Sequence, residues 1–166
     1  MMAFTVRQPY GWAIIYGGKD RENRTQNIVG SYRGIVAIHA GKFYDPYDEA
    51  WDDPRIVEAR WDWQDPYSDD DPPGWGVFGA VIGVAEIVGV HFESRAWIER
   101  YGPCSPWAVP DCWHIELANP VALPEPVPCR GQQGLWTLPP DVAQDVYIQL
   151  GIGPTDTRLP SWAMKR

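Results

Sequence analysis

The stretch from Val77 to His91 is the longest apolar run in the chain, and glycines at 79, 83 and 89 punctuate it. Repeated glycine weakens a helix, whereas in a strand it marks a bulge or a close approach of backbones. The run therefore predicts one strongly bent strand at the centre of a curved sheet. Ile35 to Ala40 is β-rich and ends at Gly41, and Trp113 to Leu117 and Gly134 to Leu138 read as further strands. Helices are short. Pro9 suits a first helical turn in which Trp12, Ile15 and Tyr16 recur at i, i+3 and i+4 before Gly17-Gly18 stops it. Ser94 to Tyr101 reads as a helix closed by Gly102-Pro103, and Pro139-Pro140-Asp141 starts another that reaches Leu150 and stops at Gly151. The expected class is α+β, a small barrel of strands with flanking short helices, in one domain of 166 residues.

Charge is divided by segment. Residues 43–76 carry eleven acids against Arg55 and Arg60, a net −9, while the whole chain carries −8. Residues 7–42 carry six bases against Asp20 and Glu22, a net +4. An anionic ligand responds to the local field more than to the total, so the basic segment is where such a ligand is expected. The acidic insertion, residues 43–76, holds a candidate helix from Asp48 to Trp63 and a Pro- and Asp-rich loop from Asp65 to Trp75, and reads as a lid or edge cover. The tail from Pro154 to Arg166 reads as loosely held.

No run of 18 apolar residues exists, and Met1-Met2-Ala3-Phe4 carries no secretory pattern, so a cytoplasmic protein without a membrane partner is expected. Cys104, Cys112 and Cys129 are odd in number and lack a C-x-x-C pair, which points to reduced thiols rather than a disulfide framework or zinc knuckle; no metal is expected. P-loop, dinucleotide, G-x-S-x-G and H-E-x-x-H patterns are all missing, so no cofactor is expected. Oligomeric state is not legible.

Chemistry concentrates in Gly17-Gly18-Lys19-Asp20-Arg21-Glu22-Asn23-Arg24, which crowds ionic groups against the end of an apolar helix. Such side chains are buried only when paired, so they are surface decoration or partners in a cleft. Glu86 is the other telling carboxylate, the only charged side chain between Asp71 and Glu93. It is either an outward, wetted strand position or a third member of a Lys19–Glu22–Glu86 proton-transfer set.

The run reads as G-x-K-x-x-E-x-R, and with it the chain resembles the ASCH domain family of the PUA-like superfamily. Val6-Arg7-Gln8-Pro9-Tyr10-Gly11-Trp12-Ala13 is similar to that family's opening helix start. Tyr32 to Ala40, Gly79 to Ile87 and Gly134 to Leu138 are similar to its strands, in its order. The resemblance implies a mostly closed PUA-like β-barrel, residues 1–166 as one ASCH domain, and a cleft between helix and barrel. ASCH-like acetylcytidine amidohydrolases use a Lys, a Thr and a Glu. Lys19 and Glu86 fall at the first and last of these, but Glu22 stands at the threonine position, with Thr25 nearby. That departure brings the chain closer to the cointegrator type, which looks like a nucleic-acid binder; other members are reported as nucleases.

The expected function is a nucleic-acid-associated module that takes RNA, DNA or a modified nucleobase in its cleft. The alternative is a small hydrolase, an amidohydrolase on a modified pyrimidine nucleoside or a ribonuclease, with Lys19, Glu22 and Glu86 catalytic. Candidate ligand contacts are Gln8, whose amide could read a base edge or cap the helix start, and Tyr10, a stacking surface beside the motif. Arg24 either contacts ligand or pairs internally with Glu22 or Glu86, and His39 either lines the cleft or is structural. Arg7, Lys42 and Arg130 are candidate phosphate contacts, because such cations donate well to phosphate oxygens. Trp12, Trp75, Trp107 and Trp113 are further rings for stacking, although most tryptophans build core. A third reading, a protein-interaction module, would place Trp51, Trp61 and Trp63 in an exposed patch.

Overall fold

The computed structural model describes residues 1–45, 47–63 and 70–160. The chain folds as α+β, with a curled, half-barrel sheet of six strands in the order β2-β5-β4-β3-β1-β6. The strands are β1 (Met2–Val6), β2 (Arg21–Arg24), β3 (Gly34–Ala40), β4 (Ala80–Glu93), β5 (Cys112–Pro128) and β6 (Leu135–Thr137). Helices are α1 (Tyr10–Ile15), α2 (Pro54–Trp63), α3 (Arg95–Tyr101) and α4 (Pro140–Leu150). Every pairing is antiparallel except β1 with β3. Among the described residues β2 and β6 are edges, so the sheet curls without closing, in place of the mostly closed barrel expected.

The apolar run forms the long central strand as its glycines suggest. Register slips between Val81 and Gly83, Val84 and Glu86, and Ile87 and Gly89 let β4 bend against β5. A Cβ on Gly83 would stand 2.6 Å from Ile15 Cδ1 and from the Val121 carbonyl oxygen, so this glycine lets α1 lie close on the sheet. Central strands are buried on both faces, which is why they read as continuous apolar runs. Phe4, Val36, Ile38, Ile82 and Ala85 pack with Ile14 and Ile15 of α1 on one face. Ala3, Ile35, Ala37 and Val84 pack with Val142, Ala143, Val146 and Leu150 of α4, and with Leu159, on the other.

Two elements depart from the sequence reading. The candidate helix from Asp48 to Trp63 is broken into a 3₁₀ turn (Glu49–Asp52) and α2, because Pro54 cannot continue a helix already running. Strand β5 runs to Pro128 despite prolines at 120, 124, 126 and 128. Beyond Glu116 its outer side has no strand partner among the described residues, and an edge tolerates the missing N–H groups. There the Gln149 side-chain amide pairs with the Glu125 backbone, accepting from its N–H at 2.9 Å and donating to its carbonyl at 3.0 Å.

The tail expected to be loose is pinned at Leu159, which is buried and whose N–H donates to Glu86 at 2.7 Å. Parts of the acidic insertion (Pro46 and 64–69) and the last six residues lie outside the described residues. No helix among those described is long and apolar enough to cross a membrane.

Candidate functional site

Gly17 and Gly18 end α1 and turn the chain so that the Lys19 N–H donates to the Ala13 carbonyl at 2.9 Å. Lys19 then enters β2, where Glu22 and Arg24 alternate onto one side. The result is a buried chain of charges. Lys19 Nζ lies 3.1 Å from Glu22 Oε2, and Arg24 Nε lies 3.0 Å from Glu22 Oε1. Lys19 also donates to the Arg21 carbonyl, and Arg24 to the Thr5 carbonyl at 2.6 Å. Arg24 Nε is close to Glu22 but misaligned for a hydrogen bond, so this buried donor has no hydrogen-bond partner among the described residues. Burial draws the Lys19 ammonium below the usual lysine range, and Glu22 opposes that shift.

These residues line a cavity of about 270 Å³ together with Val6, Arg7, Tyr10, Asn23, Arg55, Trp107 and Val109. Tyr10 and Trp107 supply ring surfaces, and Lys19 Nζ stands 5.6 Å from the Tyr10 ring centroid. Arg55 covers the Trp107 ring at 4.7 Å and donates to the Pro106 carbonyl at 2.7 Å. Asn23 clamps the same loop, donating to the Trp107 carbonyl at 2.9 Å and accepting from the Val109 N–H at 3.1 Å. Four cations and one carboxylate line this space within a chain of net charge −8.

The acidic insertion abuts the cavity. Asp48 pairs with Arg7 at 2.5 Å, and Asp53 chelates Arg55 through both carboxylate oxygens, at 2.9 and 2.5 Å. The Arg55 guanidinium holds the Asp53 carboxyl below the usual carboxylate range. Arg7, Tyr10 and Arg55 border both the cavity and a broader groove of about 750 Å³ lined by Asp48, Glu49, Asp52 and Asp53.

The structure brings Lys19, Glu22, Arg24, Tyr10 and Arg7 together and separates the other expected site residues. Glu86, expected as a catalytic partner, is buried elsewhere. Its carboxylate accepts from Asn119 Nδ2 at 3.0 Å and from the Leu159 N–H at 2.7 Å. Leu159 belongs to the core under α4, whereas Lys19 follows α1 on the other face. Strand alternation thus sends Glu86 away from Lys19, and the three-residue proton-transfer set is not assembled. Gln8 caps the helix start: its Oε1 accepts from the Trp12 N–H at 2.8 Å and its amide donates to the Val77 carbonyl at 2.9 Å. His39 is structural as well. Its Nε2 meets the Cys129 carbonyl at 3.1 Å and its ring stands edge-on to Trp136. Burial pulls the imidazole below its ordinary range. Lys42 and Arg130 are exposed, near the end of the sheet where Ala40, Ala80 and Pro128 pair, and neither lines the cavity.

Sequence reasoning missed Asn23 and Arg55. Arg55 carried a signal, being one of only two bases in the acidic segment. Of the expected tryptophan rings, only Trp107 reaches the cavity. Trp12 is fully buried, and Trp75 stacks edge-on against it. Trp61 and Trp63 are 68% and 38% exposed, whereas Trp51 is half-buried, donates to the Asp45 carbonyl and packs edge-on against Trp75. No family model matches the chain, and no curated protein matches it.

Proposed function

We propose that the chain is an ASCH-like, PUA-related module that receives a nucleobase or nucleoside, free or within an RNA or DNA strand, in the Lys19–Glu22–Arg24 cavity. One observation carries this reading: a buried carboxylate fixes two cations in place at 3.0–3.1 Å, in a cavity that Tyr10 and Trp107 also line. Fixed donors beside aromatic faces suit a flat ligand with acceptor atoms on its edge. The Lys19 ammonium and the Arg24 guanidinium, each held by Glu22, supply such donors. A volume of about 270 Å³ lies just below the usual small-molecule range of about 300–1,000 Å³, which suits a base or nucleoside and not a longer segment. The net positive lining favours a phosphate at the mouth, next to Arg7, and the acids of the insertion would turn away strands that lack a base to insert.

The hydrolase reading has one observation in its favour, a desolvated lysine amine facing the cavity. Against it, Glu86 lies on the other face, and each Glu22 oxygen is already engaged by a cation. Binding is therefore the primary reading.

The test is a screen of the purified chain against nucleosides, modified nucleosides and short single strands. Tryptophan fluorescence reports binding, and chromatography of the ligand reports products. Saturable binding that Trp107→Ala and Lys19→Met both abolish is expected, with the ligand recovered intact. Absence of binding across the whole set at millimolar ligand sinks the proposal, and recovery of a cleaved product moves it to the hydrolase.

A further inference from the structure

A second polar cluster lies on the far side of the loop that walls the cavity. His91, Glu93, Cys104 and His114 each present one donor atom, and the four atoms lie within 4.8 Å of one another. We propose that they form a zinc-type divalent metal site whose ion pins the 102–111 loop behind the cavity. The inference stands independently of what the cavity binds.

Topology assembles the set. His91 of β4 is the cross-strand partner of His114 of β5, so their side chains share one face of the sheet. Glu93 is two residues beyond His91 and returns to that face. Cys104 arrives from the loop after α3, where its N–H donates to Glu93 Oε2 at 3.3 Å. Cys104 Sγ lies 3.4 Å from His114 Nδ1, which lies 3.6 Å from Glu93 Oε2, while His91 Nε2 lies 3.6 Å from Glu93 Oε1. Zinc bonds of about 2.0–2.3 Å in a tetrahedron place ligand atoms about 3.3–3.8 Å apart. The Cys104–His114 and His114–Glu93 Oε2 spacings already match, and modest closure brings in the rest, all of which lie within 4.8 Å.

Both imidazoles are prepared as ligands by their other nitrogen. His114 Nε2 meets the Val109 carbonyl at 2.8 Å; a carbonyl only accepts, so that nitrogen carries the hydrogen and Nδ1 keeps its lone pair for the cluster. His91 Nδ1 meets Glu116 Oε1 at 2.8 Å, which leaves Nε2 as the free donor in the same way. A carboxylate or carbonyl behind each ligating histidine is the usual support of a metal site. Gly89 makes room for that support, because a Cβ there would collide with the Glu116 carboxylate.

The donor set also suits the ion. One thiolate, one carboxylate and two neutral imidazoles balance a divalent charge, and mixed sulfur and nitrogen ligation selects a borderline-soft metal such as Zn²⁺ over Mg²⁺ or Ca²⁺. On binding, the metal–sulfur bond forms, the S–H bond breaks and the proton goes to solvent. The ion would tie together β4, β5 and the loop carrying Trp107 and Val109, a positioning role with no part in chemistry.

The test uses the full chain stripped with a chelator and titrated with Co²⁺. One ion per chain is expected, with intense tetrahedral visible bands and a near-ultraviolet thiolate-to-cobalt band, all displaced by Zn²⁺. Cys104→Ser should lose the thiolate band, and Cys112→Ser, at the cross-strand partner of Glu93, should keep it. Glu116→Gln, which alters only the support, should weaken Zn²⁺ about 10–100-fold. Zinc should also protect Cys104 from alkylation. Absence of stoichiometric binding to folded protein, a thiolate band that survives Cys104→Ser, or rapid alkylation of Cys104 in saturating Zn²⁺ would each overturn the site. The last result would assign Cys104 and His114 to a reactive thiol–imidazole pair instead.

Discussion

The two polar clusters flanking the 102–111 loop hold charge in opposite ways. Around Glu22 the molecule supplies its own counterions: one carboxylate holds two cations and leaves a net positive charge. Around Glu93 it gathers two imidazoles, a thiol and a carboxylate whose donor atoms lie within 4.8 Å of one another. The first cluster is pre-organised by its own ion pairs; the second, on the proposed metal site, would be completed by a divalent ion. The comparison teaches that buried polar groups in one small sheet can be satisfied by mutual pairing or, on that proposal, by shared ligation.

The largest expected effect breaks the first cluster from within. Glu22→Ala leaves Lys19 buried and Arg24 half-buried without their counterion and should cost about 3–5 kcal/mol of folding stability, read by urea unfolding. Lys19→Met leaves Glu22 paired with Arg24 and should stay within about 1 kcal/mol of the parent while losing the cavity ligand. Equal losses from the two variants would mean that Glu22 is not the hub. Glu86→Ala comes next. It leaves the Leu159 N–H and the Asn119 amide without their buried acceptor and should cost about 1–3 kcal/mol, with cavity binding unchanged. Any loss of ligand affinity in that variant would reunite Glu86 with Lys19.

A pH experiment tests whether His39 belongs to neither cluster. Its imidazole is held below the ordinary value of about 6.5, so the unfolded chain binds more protons as pH falls. The stability His39 contributes is complete above about pH 6.5 and is lost as pH falls through its lower folded-state value. His39→Gln should therefore show a shallower loss between pH 7 and 5; a slope identical to the parent's would refute the buried neutral imidazole. The smallest effects are expected at Lys42 and Arg130. Alanine at either should change stability by no more than about 0.5 kcal/mol and leave nucleoside binding intact. If either follows a strand's phosphates, the salt slope of oligonucleotide binding should fall by about one per residue removed.

Local patterns in the sequence were read well. The 3.6-residue recurrence in α1, the Gly102 close of α3, the glycine stop of α4 and the glycine-bent β4 all depend on neighbours in sequence. Lys19, Glu22 and Arg24 were legible as a cluster because one short motif, residues 19–24, carries all three. Strand β1 was not, since five residues whose main partner is a parallel strand more than thirty positions away leave little local signal. The second half of β5 was hidden by prolines that only an edge accommodates. Glu86 was misplaced for a subtler reason: its face depends on bulges in β4, and a single slip reverses the direction of a side chain. The cluster of His91, Glu93, Cys104 and His114 was invisible because its spacing follows strand register and no short motif.

The free side of β5 has a consequence for how these molecules meet one another. An open strand edge offers a row of donors and acceptors to any chain in extended conformation, and that is the usual route to aggregation between sheets. Here Pro120, Pro124, Pro126 and Pro128 present no N–H, and at Glu125 the Gln149 amide occupies the backbone groups an incoming strand would need. Helix α4 thus acts as a one-residue false strand. Gln149→Ala should leave the fold standing while freeing the Glu125 backbone groups, and faster fibril formation than the parent, followed by thioflavin fluorescence, is the expected reading.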